Sequence, residues 1–374
     1  MAPTSTPPGL LPGDQAHLER ARVLARGGWG RVHPNPMVGC VLVRDGEVVG
    51  EGHHAEYGGP HAEVVALESA RSRALGAAAY VSLEPCDHHG KTPPCTQALI
   101  QAGVRRVVFG AQDPGPVSGG GAATLRSAGI EVVGPVWDDA TARSENPAFF
   151  HAARHSSPWI AVKLAQTLDG FIAEAPGRRT RITGAEADAR SHQLRTGFDA
   201  LLVGAGTLRA DDPLLTVRNA PQGRLPPARM VLDPRAEMPT RAAVLRDAAS
   251  VPVHVFTRRD ARESELERLE AAGARVHPLP YDGRGLSLEA LLSVAWGVGI
   301  RSVLCEGGAR LASELLRDGT ARRLYLWVAP FTLPSPGVPA FPGVGREVWG
   351  RFRPATAPEF HGRDTLLVLD REED

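Results

Sequence analysis

The chain has 374 residues, with Lys+Arg and Asp+Glu both totalling 42 and a formal net charge of zero. That length is about two and a half times a typical domain, so two separately cored domains are predicted and a small stapled module is excluded. The charge balance lacks the positive excess of a nucleic-acid or anionic-membrane binder, so a small-molecule partner is expected.

In chain order, the pattern predicts a helix from Gln15 to Arg26, then a hairpin of Met37–Val43 and Glu47–Gly52 turning at Asp45-Gly46. A helix (Ala62–Leu75), strand (Ala79–Leu83), helix (Thr96–Ala102), strand (Arg106–Phe109), helix (Gly121–Ala128) and strand (Ile130–Val133) follow. Such alternation predicts a layered α/β sheet. Polar sequence from Asp138 to Ser157, ending at Pro158, reads as a hinge, which gives domains at 1–145 and 158–374 with a linker at 146–157. Beyond it, strands are predicted at Trp159–Leu164, Ala200–Val203, Arg229–Leu232, Val253–Phe256, Ser302–Cys305, Arg323–Val328 and Thr365–Leu369. Helices are predicted at Ala185–Arg195, Ala261–Ala272, Leu288–Trp296 and Ala309–Arg317, completing a second α/β unit.

Cys40, Cys86, Cys95 and Cys305 are too few for a disulfide framework, and the opening MAPTSTPPGLLPGD has neither the basic start nor the apolar core of a signal peptide. A reduced cytoplasm is expected. The longest apolar stretch, Leu286–Ile300, is interrupted by Glu289 and two glycines, so no membrane span is predicted. Only two of the 42 cations are lysines, Lys91 and Lys163, and only three asparagines occur, Asn35, Asn146 and Asn219. Arginine-rich drift explains the scarcity, but it makes each survivor worth locating.

His61-Ala62-Glu63 opens a helix after the turn Gly58-Gly59-Pro60, and Glu84-Pro85-Cys86 closes a strand and leads by an eight-residue loop to Cys95. One imidazole and two thiolates form a three-ligand zinc set whose fourth tetrahedral position stays open, as catalysis requires. His61 and Cys95 both stand at helix starts, where the dipole favours thiolate. Glu63, near the metal but outside the ligand set, is placed to move protons in hydrolytic amine-to-carbonyl conversion of a heteroaromatic ring. A closed structural site with His88 or His89 as fourth ligand is the competing reading. The eight-residue Cys spacing departs from the usual two, so the added loop should have its own task.

HPNPMVG (His33–Gly39), GPHAE (Gly59–Glu63), LEPCDHHGKTPPC (Leu83–Cys95) and QDP (Gln112–Pro114) closely resemble the deaminase half of the bifunctional riboflavin-biosynthesis RibD family. The resemblance implies a cytidine-deaminase-like α/β/α fold, one zinc per chain on His61, Cys86 and Cys95, and Glu63 as proton shuttle. It also implies that Asn35, His88 and Lys91 contact a pyrimidine carrying a ribosylamino 5′-phosphate. Asn can read a ring edge, and Lys offers phosphate a point charge. The stretch Asp113–Gly121 is a residue shorter than is usual in the family.

WIAVKLAQTLDGFIA from Trp159, ITG (Ile182–Gly184), DALLVGAGTLRADDPLLTVR (Asp199–Arg218) and CEGGARLASELL (Cys305–Leu316) resemble the reductase half, with a dihydrofolate-reductase-like α/β fold. Read by themselves, these residues give only a Gly-Gly pair ahead of a helix, suited to a nucleotide phosphate, and scattered charges. The resemblance implies NADPH, with Ala165, Thr207, Asp211, Gly307 and Gly308 near the cofactor; Arg181 would meet the cofactor's extra phosphate or sit in solvent. Lys163, Asp169, Arg179, Arg195, Leu215, Arg218 and Glu306 would face the substrate. Arg181 replaces a frequent Trp, and Thr167 a usual Ser. Cys40, Cys305, His53, His54 and His192 read as structural.

The leading expectation is a two-step enzyme on a small pyrimidine ribosyl phosphate, independent of nucleic acid and membrane, with homo-oligomer formation left open. The alternatives are a zinc deaminase acting on another base or on tRNA, and a non-catalytic C-terminal domain.

Overall fold

The computed structural model describes residues 9–115, 117–283, 285–334 and 337–372. The chain divides into two compact units, Met1–Arg154 and His155–Asp374.

The first unit runs α1 (Asp14–Ala25), β1 (Gly39–Arg44), β2 (Glu47–His53), α2 (Ala62–Ala70), β3 (Ala78–Leu83), α3 (Cys95–Gln101), β4 (Arg106–Ala111), α4 (Gly121–Ser127), β5 (Glu131–Val133), α5 (Asp139–Glu145) and α6 (Pro147–Arg154). Its sheet has the order β2-β1-β3-β4-β5, antiparallel around β1 and parallel from β3 to β5. Asp45 and Gly46 both take positive φ, 52° and 82°, as a two-residue hairpin turn demands. Period-2 alternation sorts β3 between two cores. Ala79 and Val81 pack with Ala62, Ala66 and Leu99 on one face. Ala78 and Tyr80 pack with Leu18 and Ala21 of α1 on the other. A buried polar network also docks α1: Arg106 donates to both Asp14 oxygens at 3.0 and 2.9 Å, and the Tyr80 hydroxyl donates to Asp14 at 2.7 Å.

The segment expected to be an irregular hinge is helical. The Asp138 carboxylate accepts from Thr141 N at 2.8 Å and caps α5, and α6 buries Phe150. Asn146 and Pro147 split the region into two helices, each too short to show apolar periodicity.

The second unit contains β6 (Trp159–Thr167), β7 (Phe171–Ala173), α7 (Ala185–Arg195), β8 (Ala200–Gly204), α8 (Ala205–Asp211), β9 (Ala228–Leu232), β10 (Val253–Arg258), α9 (Glu263–Ala271), β11 (Arg275–Leu279), α10 (Leu288–Gly297), β12 (Ser302–Cys305), α11 (Ala309–Arg317), β13 (Ala321–Ala329), β14 (Val338–Pro339), α12 (Arg346–Trp349), β15 (Phe352–Pro354), β16 (Glu359–His361) and β17 (Asp364–Arg371). The main sheet has the order β11-β10-β9-β8-β12-β6-β13-β17-β15, with β16 also pairing β17. It is parallel from β11 to β13, and β17 turns antiparallel. Ile160, Val162, Leu202, Val303 and Cys305 pack against Leu291, Ala295, Leu311 and Leu315 of α10 and α11. In such sheets ligand sites form beyond the carboxyl ends of the strands, where the strand order reverses. No helix among the described residues is long and apolar enough to cross a membrane.

Candidate functional site

His61 precedes α2 in extended backbone, Cys86 follows β3, and Cys95 opens α3, so three separate segments deliver three ligands. Their ligand atoms all lie within 4.8 Å of one another. His61 Nδ1 is 3.2 Å from Cys95 Sγ and 3.5 Å from Cys86 Sγ, while Nε2 faces Thr92 Oγ1 at 3.4 Å. One imidazole nitrogen and two thiols at this separation fit a zinc ion. Neither His88 nor His89 joins the group among the described residues, so the donor set leaves a position for substrate chemistry.

The two thiols behave as one coupled pair. The Cys95 S–H donated to Cys86, against the cost of burial, holds the Cys86 thiol well below its ordinary range, and the same bond pushes Cys95 up. Glu63, in the first turn of α2, is buried, and burial followed by the neighbouring Cys86 charge raises its carboxyl to about 7.

Asn35, His61, Glu63, Cys86, His88 and Lys91 line one cavity of about 310 Å³, together with His54, Tyr57, Glu84, Thr92, Asp113, Ser118 and Phe149. The added cysteine loop thus supplies cavity wall. Asp87 accepts from Thr96 Oγ1 and Thr124 Oγ1, both at 2.6 Å, and anchors the loop to α3 and α4. Glu84 accepts from Ala122 N at 2.9 Å. A Cβ at Gly121 would lie 1.8 Å from the Pro85 carbonyl oxygen, so only glycine allows α4 to meet the Glu84-Pro85-Cys86 segment. Lys91 Nζ lies 4.0 Å from the Tyr57 ring centre. His88 Nδ1 is buried with no hydrogen-bond partner among the described residues. In the shortened stretch, Asp113 and Ser118 line the cavity, and Pro116 lies outside the described residues.

His54 has a larger part than its reading as a structural histidine. Its Nδ1 is 3.0 Å from the Pro60 carbonyl, which can only accept, so Nδ1 carries the proton. Nε2 is then an acceptor and meets the Asn35 amide nitrogen at 3.4 Å, which leaves Asn35 Oδ1 for the cavity. Burial holds the His54 imidazole below its ordinary range, in the neutral form this arrangement uses.

In the second unit a cavity of about 1020 Å³ opens at the carboxyl ends of β6, β8, β9, β10 and β12. Lys163, Ala165, Arg179, Thr207, Asp211, Glu306, Gly307 and Gly308 line it. Asp169, Arg181, Arg195, Leu215 and Arg218 do not. Asp169 accepts from Thr167 Oγ1 at 2.5 Å and from Leu333 N at 3.2 Å, bracing a turn. Arg181 is exposed and donates to Asp188 at 3.1 Å. Leu215 is buried with φ 49°. Arg195 stands behind the wall, donating to both Glu306 oxygens at 2.6 and 2.7 Å and to Thr216 O at 2.7 Å. Arg218 N donates to His192 Nδ1 at 3.0 Å, and the Arg218 side chain donates to Thr216 Oγ1 at 2.8 Å.

Burial alone would raise the Glu306 carboxyl, but the charge and hydrogen bonds of Arg195, with Lys163 nearby, hold it at about 2. Burial lowers Lys163 against the pull of Glu306. The Gly-Gly amides are already engaged: Gly307 N–H faces the Cys305 thiol and Gly308 N donates to Thr207 Oγ1 at 2.8 Å. The Thr207 hydroxyl proton is thereby left for a ligand. At Gly204 and Gly206, both lining the cavity, a Cβ would meet nothing within 4 Å, which is the cradle a cofactor would fill.

Two family profiles match the chain: a cytidine and deoxycytidylate deaminase zinc-binding region over residues 12–111, and a RibD C-terminal domain over residues 158–357. The riboflavin biosynthesis protein RibD of Aquifex aeolicus (strain VF5) is 41% identical over 318 residues, covering 85% of this chain and 87% of that protein. The protein of the same name from Escherichia coli (strain K12) is 39% identical over 370 residues, covering 95% and 96%. A solved Thermotoga maritima structure, described as a diaminohydroxyphosphoribosylaminopyrimidine deaminase and 5-amino-6-(5-phosphoribosylamino)uracil reductase, superposes with a TM-score of 0.78 at 35% identity. It covers 96% of this chain and 98% of that one.

Proposed function

This chain belongs to the RibD family of riboflavin-biosynthesis proteins, and from that premise we propose how its residues divide two consecutive reactions. It is a bifunctional enzyme: a hydrolytic deaminase of 2,5-diamino-6-ribosylamino-4(3H)-pyrimidinone 5′-phosphate, and a reductase that converts the ribosyl group to ribityl with NADPH. The product is 5-amino-6-(5-phosphoribitylamino)uracil.

His61, Cys86 and Cys95 would hold one zinc ion per chain; when bound, it supplies Lewis-acid activation of water for attack on the ring. Glu63 takes one proton from the attacking water and gives it to the ring nitrogen, then takes the proton of the added hydroxyl and gives it to the amine, which leaves as ammonia; burial favours a carboxyl that can both take and give a proton. Asn35, aligned by His54, reads the ring edge through Oδ1, and His88 and Lys91 meet the polar substituents and the phosphate. Deamination is assigned to a domain that contains 1–145 and reduction to one that contains 158–374, each within one compact unit.

There, NADPH supplies hydride. Thr207 and Asp211 contact it beside Ala165, Gly307 and Gly308, while Lys163, Arg179 and Glu306 orient the opened ribose. Arg195 acts through Glu306. Asp169, Leu215 and Arg218 shape the turns around these groups. The free, buried state of all four cysteines suits a reducing cytoplasm.

The observation that carries the reading is Glu63, buried beside a three-ligand donor set and in the same cavity as Asn35 and Lys91. Mass spectrometry of the diaminopyrimidinone phosphate incubated with and without NADPH tests it. Amine loss is expected in both, and a gain of two hydrogens only with NADPH. Glu63→Gln should abolish ammonia release with zinc content unchanged; retained deamination would sink the assignment.

A further inference from the structure

We propose that Asn146 and Phe149, in the stretch the sequence reads as linker, belong to the deaminase: Asn146 as the positioning residue of the Asn35 turn, Phe149 as an apolar face against the pyrimidine ring. The proposal deepens the reading above and rests on it.

Three observations carry it. Asn146 clasps one backbone unit from both sides: Met37 N donates to Asn146 Oδ1 at 2.8 Å, and Asn146 Nδ2 donates to Met37 O at 3.0 Å. Met37 lies two residues from Asn35, whose own N–H donates to Val32 O at 2.9 Å, and two residues from Gly39, whose N–H donates to Ser82 Oγ at 3.0 Å. The turn that presents Asn35 is therefore fixed before, within and after itself, and the middle fixture comes from a side chain more than a hundred residues away in sequence.

Phe149 is the second observation. It lines the cavity with the zinc ligands and packs beside Val38 and Leu83, while its neighbour Phe150 is buried in the same cluster and meets it edge-on at 5.5 Å. Phe150 thus anchors α6 and Phe149 faces the cavity. Val38, Leu83 and Tyr57 share the wall, and Phe149 adds to it an apolar ring face for a heteroaromatic ring, whose π-face stacks on aromatic side chains.

The segment's seating is the third. Glu145, directly before Asn146, accepts from Arg22 of α1 at 2.7 Å, and a Cβ at Gly110 of β4 would lie 2.6 Å from the Trp137 ring. The strap is tied to the first unit at both ends of α5, ahead of Asn146 and Phe149. In a chain with only three asparagines, two of them, Asn35 and Asn146, act on one turn.

The test uses the full chain, with four readouts per variant: deaminase kcat and KM, zinc per chain, thermal midpoint, and reductase rate on the deaminated substrate. Phe149→Ala should raise the deaminase KM about tenfold with kcat within about threefold of wild type, and Phe149→Tyr should restore KM. Asn146→Ala should lower deaminase kcat by roughly ten- to a hundredfold through misplacement of Asn35. Asn146→Asp, which keeps the acceptor for Met37 N, should recover part of it. Zinc content and reductase rate should stay at wild-type values throughout. Wild-type deaminase kinetics in the Phe149→Ala and Asn146→Ala variants would overturn the inference, as would losses that merely track zinc loss or a lowered thermal midpoint. Wild-type protein that fails to deaminate would instead overturn the function on which the inference rests.

Discussion

Lys163 and Glu306 show how much one site depends on buried charge. The Arg195 guanidinium and the Glu306 carboxylate form a bidentate pair largely out of water. Removing one member of such a pair leaves the other unpaired, so Glu306→Gln should cost about 3–5 kcal/mol in urea unfolding. The pH dependence has a definite sign. Because the folded carboxyl is held at about 2, below the unfolded value of about 4.3, the unfolded chain binds more protons between those values. The stabilisation is complete above about pH 4.3 and is lost as pH falls towards 2. Urea midpoints measured from pH 6 to 3 should fall less steeply in Glu306→Gln than in wild type. Lys163 lies beside the same carboxylate, where burial lowers its ammonium. Arginine cannot reproduce that compact, tunable charge, so Lys163→Arg should lower reductase kcat/KM roughly tenfold or more.

Between elements, close approach matters more than side-chain identity. Gly121→Ala would press a methyl into the Pro85 carbonyl and shift the segment that bears Cys86. A loss of about 1–3 kcal/mol in thermal unfolding is expected, together with weaker zinc retention on dialysis. The strongly patterned elements were legible in the sequence: β3 sorts Ala79 and Val81 from Ala78 and Tyr80, and Asp45-Gly46 dictates its hairpin. The clustering of His61, Cys86 and Cys95 was legible as well, because each stands at the end of a strand or the start of a helix. What escaped had weak or broken periodicity. α8 carries Gly206 and ends at Asp212 with φ 39°; β11 holds Pro278 at the sheet edge, where a missing donor is tolerated; α5 and α6 are short. His54 escaped for a different reason: its effect on Asn35 runs through space, and neither residue's neighbours announce it.

For the molecule as a whole, two units with different chemistries predict separable losses. Removing the metal with a chelator should abolish deamination while the reductase keeps its rate on deaminated substrate, since the clustered ligands all belong to the first unit. Restoring zinc should restore ammonia release. The balanced charge predicts no steep salt dependence of substrate binding beyond the phosphate contact. The Asp14, Tyr80 and Arg106 network has an optical consequence. Burial and the hydrogen bond to Asp14 push the Tyr80 phenol above its ordinary range. Of the four tyrosines, Tyr80 should therefore lag in an alkaline absorbance titration, and its delayed phenolate band should emerge together with the release of α1. A single chromophore, without any added label, would then report when the first unit comes apart.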